Sequence, residues 1–148
     1  MKLSLTLLIL FLSCNGSNMT KVVLYENGKA SEVLIDSTEV YSFSTEMLSG
    51  IENVLRLAVD SNYMNEIKSK EKAIEIYFPA HLKVQTNYLG PMEIDRIFIP
   101  LSGDLSGTKE SPVSTVIISE NGNYISTPYR LPNGFSIIEK FTSKLLNE

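Results

Sequence analysis

The chain has 148 residues, with 13 Lys and Arg against 17 Asp and Glu, a net charge of −4, one histidine and one cysteine. A chain of this length buries roughly two-thirds of its unfolded surface around one core, and one domain accounts for it. The basic residues are scattered, which excludes a nucleic-acid interface built on a basic face or stripe, and the lone cysteine excludes an internal disulfide.

In chain order, Lys2 comes first and is followed by an apolar run, residues 3–12, interrupted only by Ser4 and Thr6; small Ser13 then precedes Cys14. A charged start, a short apolar stretch and a small boundary residue make an export signal. The run is too short for a membrane-spanning helix, which takes ~20 apolar residues. The segment Phe11-Leu12-Ser13-Cys14-Asn15 resembles the signal end and lipobox of a bacterial lipoprotein. Ser13 and Cys14 carry that match, while Phe11 and Leu12 depart from the usual box. The resemblance implies cleavage before Cys14, acylation of its thiol (palmitate among the chains) and attachment to a cell-envelope membrane. Asn15, in place of the Asp that retains such proteins in the inner membrane, favours the outer membrane. The alternative is a plain secretory signal and a secreted protein whose Cys14 is unpaired or bridged to another chain. Residues 1–13 are thus the signal, residues 14–20 a polar tether, and residues 21–148 a single domain. Two sequons in the tether, at Asn15 and Asn18, read as part of its Asn/Ser/Thr-rich composition.

Within the domain, residues 22–25 and 32–36 flank Asn27-Gly28, the strongest short hairpin signal because a type I′ turn needs positive φ at both central residues. Residues 40–43 extend or follow that sheet. A helix capped by Ser44 or Thr45 then carries Met47, Leu48, Ile51, Val54, Leu55, Ala58 and Val59 on one stripe, and Asp60-Ser61-Asn62 breaks it. A second, short helix covers residues 63–69. Residues 74–78 and 82–88 alternate as half-buried strands, with Pro79 ending the first or marking a bulge. Leu89-Gly90-Pro91 turns the chain into a strand over residues 92–99, and residues 101–112 form a polar loop. Residues 113–119 pair with 124–127 across Asn121-Gly122, residues 127–133 make a constrained connection, and residues 135–146 give an amphipathic terminal helix. Strands joined by turns rather than crossover helices predict an antiparallel sheet. The fold class is α+β: mainly an antiparallel sheet of hairpins with two or three helices packed on one face.

No motif names a chemistry. His81 is the single neutral-range base available to a hydrolase triad, and no Gly-x-Ser-x-Gly elbow accompanies it. Zinc favours nitrogen and sulfur ligands, and the Asp104 loop offers too few carboxylates for calcium, so no metal or cofactor is expected. Glu93 and Asp95 share one face of a predicted strand and are the candidates for a carboxylate-dependent hydrolase. Lys68, Lys70 and Lys72, interleaved with Glu66, Glu71 and Glu75, read as a solvated mixed-charge surface. Two segments suggest recognition. The hairpin tip carries Tyr88, Leu89 and Met92, apolar groups at a turn that is normally polar. Tyr129 and Arg130, of residue types that dominate interface hot spots, sit between Pro128 and Pro132. The expected function is that of a lipid-anchored envelope protein with a non-enzymatic interaction domain, its partners being the membrane and an envelope protein or ligand. The alternatives are an envelope hydrolase and a small-molecule-binding module.

Overall fold

Asn27 and Gly28 both take positive φ, 52° and 74°, and close the first hairpin between β1 (Met19–Glu26) and β2 (Lys29–Asp36). Its eight antiparallel pairs run from Met19↔Asp36 to Glu26↔Lys29. The computed structural model describes residues 18–145, the side chains at positions 53 and 54 excepted. Cys14 and the whole expected signal lie outside the described residues. β1 starts at Met19, inside the expected tether of residues 14–20, because Thr20 is buried and the pairing with β2 extends that far.

Residues 40–43 are not strand; they belong to α1 (Ser37–Ser49). The Asp36 side chain accepts from the backbone N–H groups of Thr38 and Glu39 at 2.9 and 3.3 Å, an N-cap that starts the helix well before Ser44. Val40, Phe43, Met47 and Leu48 form its buried stripe. The helix stops at Gly50, whose N–H turns back to the carbonyls of Leu48 and Met47. Residues 51–59, whose apolar spacing also suits a helix, instead run along the sheet edge. Backbone N–H groups of Glu52, Leu55 and Val59 donate to the carbonyls of Arg130, Pro128 and Ser126 at 3.1, 2.7 and 2.8 Å, and β3 (Asn53–Val54) lies within this stretch.

α2 (Ser61–Lys70) is capped by Asp60, which accepts from Tyr63 N–H at 2.8 Å. β4 (Ala73–Val84) then joins residues 74–78 and 82–84 into one strand, paired along its length with β5 (Met92–Pro100). The register shifts between Tyr77 and Leu82, so Pro79 marks a bulge, and His81 takes a left-handed φ of 42° within it. β6 (Ser114–Glu120) turns at Asn121-Gly122, with φ of 52° and 79°, into β7 (Asn123–Tyr124), and β8 (Tyr129–Leu131) continues the return along β6. α3 (Gly134–Leu145) ends the described chain.

The strand order is β2-β1-β4-β5-β6-β8-β3, with β7 also on β6. All pairings are antiparallel, so the α+β sheet of hairpins is as expected. α1 and α3 share one face over Val22, Ile74, Ile76, Ile97, Ile99, Val116 and Ile118, and stacked Phe43 and Phe141 rings, 3.9 Å apart, join the two helices. α2 covers part of the opposite face, where Met64 and Ile67 pack on Ala73, Phe98 and Ile117. The sheet is therefore clothed on both sides, completely on one and in part on the other.

Candidate functional site

The register puts one set of side chains on the α2 face. Val23 lies opposite Glu75, Glu75 opposite Phe98, Tyr77 opposite Arg96, Arg96 opposite Ser119, and Ser119 opposite Tyr124. Directly opposed residues of an antiparallel pair share a face. Alternation along each strand thus delivers one carboxylate, one guanidinium and three phenols (Tyr25, Tyr77 and Tyr124) to the surface on which α2 lands. α2 then adds Lys68.

Glu75 has no exposed surface. Its Oε2 accepts from the Tyr25 hydroxyl at 2.6 Å and from Lys68 Nζ at 2.9 Å. Its Oε1 accepts from the Tyr124 hydroxyl and lies 3.6 Å from Arg96 Nη1. Lys68 Nζ also donates to the Tyr124 hydroxyl at 3.2 Å. The ammonium sits 5.0, 5.6 and 5.4 Å from the Tyr25, Phe98 and Tyr124 ring centres, and the Arg96 guanidinium 5.7 and 5.0 Å from those of Tyr77 and Tyr124. Such contacts stabilise desolvated cations. A charge taken fully out of water is tolerated only when it is paired and hydrogen-bonded, and each carboxylate oxygen meets both conditions.

The protonation states follow. Burial pushes the Glu75 carboxyl up, but hydrogen bonds from Tyr124, Tyr25 and Lys68, together with the Lys68 charge, outweigh it and hold the group below its ordinary value. Burial, with the hydrogen bond and charge of Glu75, raises the Tyr25 hydroxyl far above its ordinary value, and burial with the Glu75 charge does the same for Tyr124. A general acid or base works best with a pKa near the operating pH, and these groups are driven away from it in both directions. The arrangement ties β1, β4, β5, β7 and α2 together and leaves the carboxylate no surface open to solvent.

These shifts set a pH window. A carboxyl held below its unfolded value contributes stability that is complete above that value, about 4.3 for Glu, and is lost as pH falls through the folded one. Asp95 adds to the same acid limb: burial raises it, but hydrogen bonds from Ser119 and the Gly122 N–H and the Arg96 charge hold it low. Tyr25 and Tyr124, raised when folded, contribute stability present below about pH 10 and lost above it. Urea midpoints measured across pH are expected to be flat from about pH 6 to 9 and to fall in acid. The acid limb should be shallower in Glu75→Gln, and an unchanged limb would show that Glu75 is not ionised within the fold.

Arg96 carries the network outward. Its Nη2 donates to Ser119 Oγ at 3.3 Å and to the Gly122 carbonyl, and Asp95 accepts from the Gly122 N–H, which fixes the Asn121-Gly122 turn against β5. Beyond α2 the same face opens into a depression of about 500 Å³ whose walls include Met19, Lys21, Leu34, Tyr77, His81 and Arg96. Lys21 pairs with Glu32 at 3.5 Å and lies 4.2 Å from the Tyr77 ring centre.

The residues singled out from sequence fall elsewhere and do not converge. Leu89 is buried in the core between α1 and the sheet, Met92 is half-buried against it, and Tyr88 alone of the three is exposed. The tip therefore folds back on the core instead of presenting three apolar groups. Tyr129 is half-buried, with burial pushing its hydroxyl up, and Arg130 is exposed on β8, separated from the β4–β5 loop by β5 and β6 in the strand order. Glu93 pairs with Lys83 at 3.2 Å and lies 3.9 Å from His81, whereas Asp95 turns to Arg96 and Gly122; the two acids line different depressions. Among the described residues no His, Cys, Asp and Glu side chains group as metal ligands. Reading residues 66–75 as a solvated mixed-charge surface holds for the exposed Lys70–Glu66 pair and fails for Lys68 and Glu75. The missed signal is Glu75 itself, an acid between Ile74 and Ile76 in a strand that continues into two aromatics, Tyr77 and Phe78, just before Pro79.

The class these features define is an α+β domain, an antiparallel sheet with two helices on one face and, on the other, a third helix closing over a tyrosine-bound carboxylate. Comparison with protein-family models, with curated proteins and with solved structures finds no match.

Proposed function

We propose that the chain is a lipid-anchored protein of the bacterial cell envelope, in the outer membrane, and that its domain is an interaction module for an envelope protein or ligand. The observation that carries the reading is the pattern of Lys2, the apolar run of residues 3–12, Ser13 and the single Cys14. More than one acyl chain is needed for stable anchoring, each buried methylene contributing ~0.8 kcal/mol, and multiple acylation of one cysteine meets that need. Two features of the domain support binding over catalysis. The polar cluster around Glu75 keeps its carboxylate fully buried, and its groups are tuned away from neutral acid–base work. The recessed surface between α1 and α3, about 410 Å³, is floored by Phe43 and Phe141 and rimmed by the Lys144–Glu39 pair at 2.6 Å, an arrangement suited to holding an apolar group with a polar margin.

The test is the intact mass of the chain recovered from the membrane fraction of a bacterial host, beside Cys14→Ala. The expected result is a mature chain beginning at Cys14 and carrying acyl mass, with the variant unacylated and released from the membrane. Unmodified Cys14 in a soluble chain would replace this reading with the secreted one.

A further inference from the structure

Large apolar side chains exposed singly are ordinary on a protein surface, but here their placement is not scattered. Among the described residues three are exposed: Met19 at 39%, Leu34 at 62% and Tyr88 at 56%. Met19 opens β1, and Leu34 lies on β2 opposite Lys21. β4 runs antiparallel to β1, passes Val22 at Ile76, and continues through Pro79 and His81, which share a depression with Met19 and Leu34, into the loop that bears Tyr88. All three therefore sit at one end of the sheet, the end at which the chain arrives from Cys14.

Chain length limits how far that end can stand from an anchor. Asn18 is already part of the fold, its carbonyl accepting from Ser37 N–H at 2.8 Å. It lies four positions after Cys14, a reach of at most ~14 Å even when fully extended. The Asn27-Gly28 turn at the far end of the hairpin lies a further ~26 Å away along the eight-residue β1. The charges at the near end are largely matched: Lys21 pairs with Glu32 at 3.5 Å and Lys83 with Glu93 at 3.2 Å. What this end offers a neighbour is apolar side chains and a tyrosine, the amphipathic residue type that settles at the headgroup level, beside lysines whose stems can lie along apolar surface with their heads in water.

We infer that Met19, Leu34 and Tyr88 form a second, shallow contact with the phospholipid surface, so that the domain is seated on the bilayer by its Met19 end with the Asn27-Gly28 turn pointing away. This rests on the anchor proposed above. The lipid holds the chain at the surface, and the three side chains fix its orientation, which leaves the α1–α3 groove and Arg130 free along the flanks for a partner.

The test uses the full acylated chain extracted from host membranes and reconstituted in phosphatidylethanolamine–phosphatidylglycerol vesicles. With Cys14 acylated, one added cysteine is the sole thiol, so Leu34→Cys, Tyr88→Cys and Asn27→Cys can each carry a bimane. A nitroxide on the lipid near the headgroup should quench positions 34 and 88 at least about threefold more than position 27, as for groups at the headgroup–acyl boundary, and added salt should leave the difference unchanged. Equal quenching at all three positions in an acylated chain overturns the seating alone. A chain with no acyl mass overturns the anchor, and the seating with it.

Discussion

Replacing Glu75 by glutamine is expected to lower the stability of the domain by about 3 kcal/mol, since removing one member of a buried ion pair costs roughly 3–5 kcal/mol by leaving the other charge uncompensated. The lower end applies because the Lys68 and Arg96 side chains keep 22% and 21% exposure and retain some access to water. The amide is nearly isosteric and still accepts one hydrogen bond, so the loss is electrostatic rather than a packing fault. At this chain length it corresponds to a fall in melting temperature of roughly 10 °C. Denaturant midpoints check the value, and a cycle with Lys68→Met checks its origin: the double variant should cost less than the sum of the two by about 1–3 kcal/mol. A loss below about 1 kcal/mol with additive singles would mean that the cluster does not hold the fold, and would make Glu75 a candidate for chemistry.

Phe98→Ala is expected to cost about 4 kcal/mol, within the roughly 3–5 kcal/mol typical of emptying a buried aromatic site. Phe98 is fully buried and lies directly across the β4–β5 ladder from Glu75. Its ring centre is 6.1 Å from that of Tyr25 and 6.4 Å from that of Tyr124, so it is the apolar floor against which both phenols are aimed at the carboxylate. Truncation leaves a void beside an ion pair, and water entering it weakens every contact of the cluster. The variant should therefore be non-additive with Glu75→Gln. Phe141→Ala, on the opposite face of the sheet, should add to Glu75→Gln within about 0.5 kcal/mol. Unfolding midpoints of the three single and two double variants decide this, and additivity of the Phe98 and Glu75 changes would separate the floor from the cluster.

Elements whose cause is local were legible from residues alone. Asn27-Gly28 and Asn121-Gly122 each meet a φ requirement that few residue pairs satisfy, and the hairpins stand where those pairs predict them. Pro79 marks a bulge for an equally local reason, the missing N–H. The first helix lies earlier than apolar spacing predicts because two local signals compete: the spacing of residues 47–59 suits a helix, while Asp36 caps one beginning at Ser37. The cap and Gly50 set the limits, and the residues beyond Gly50 find backbone partners on β8 and the segment leading into it that a helix over them would forgo.

The site is a different case. Alternation along residues 73–78 announces two faces but not what covers either one, and an acid flanked by tyrosine and alanine on the same face reads as solvated. Glu75 becomes a buried, ionised anchor because α2 settles over that face and brings Lys68, while β1, β5 and β7 deliver Tyr25, Arg96 and Tyr124 from positions far away in the chain. Leu89 shows the converse, a turn residue that reads as exposed and is drawn into the core. Turn geometry, strand periodicity and fold class are written in neighbouring residues because they depend on backbone dihedrals and side-chain spacing. Burial and charge pairing depend on which distant segment arrives, and that is decided by the packing of the whole chain.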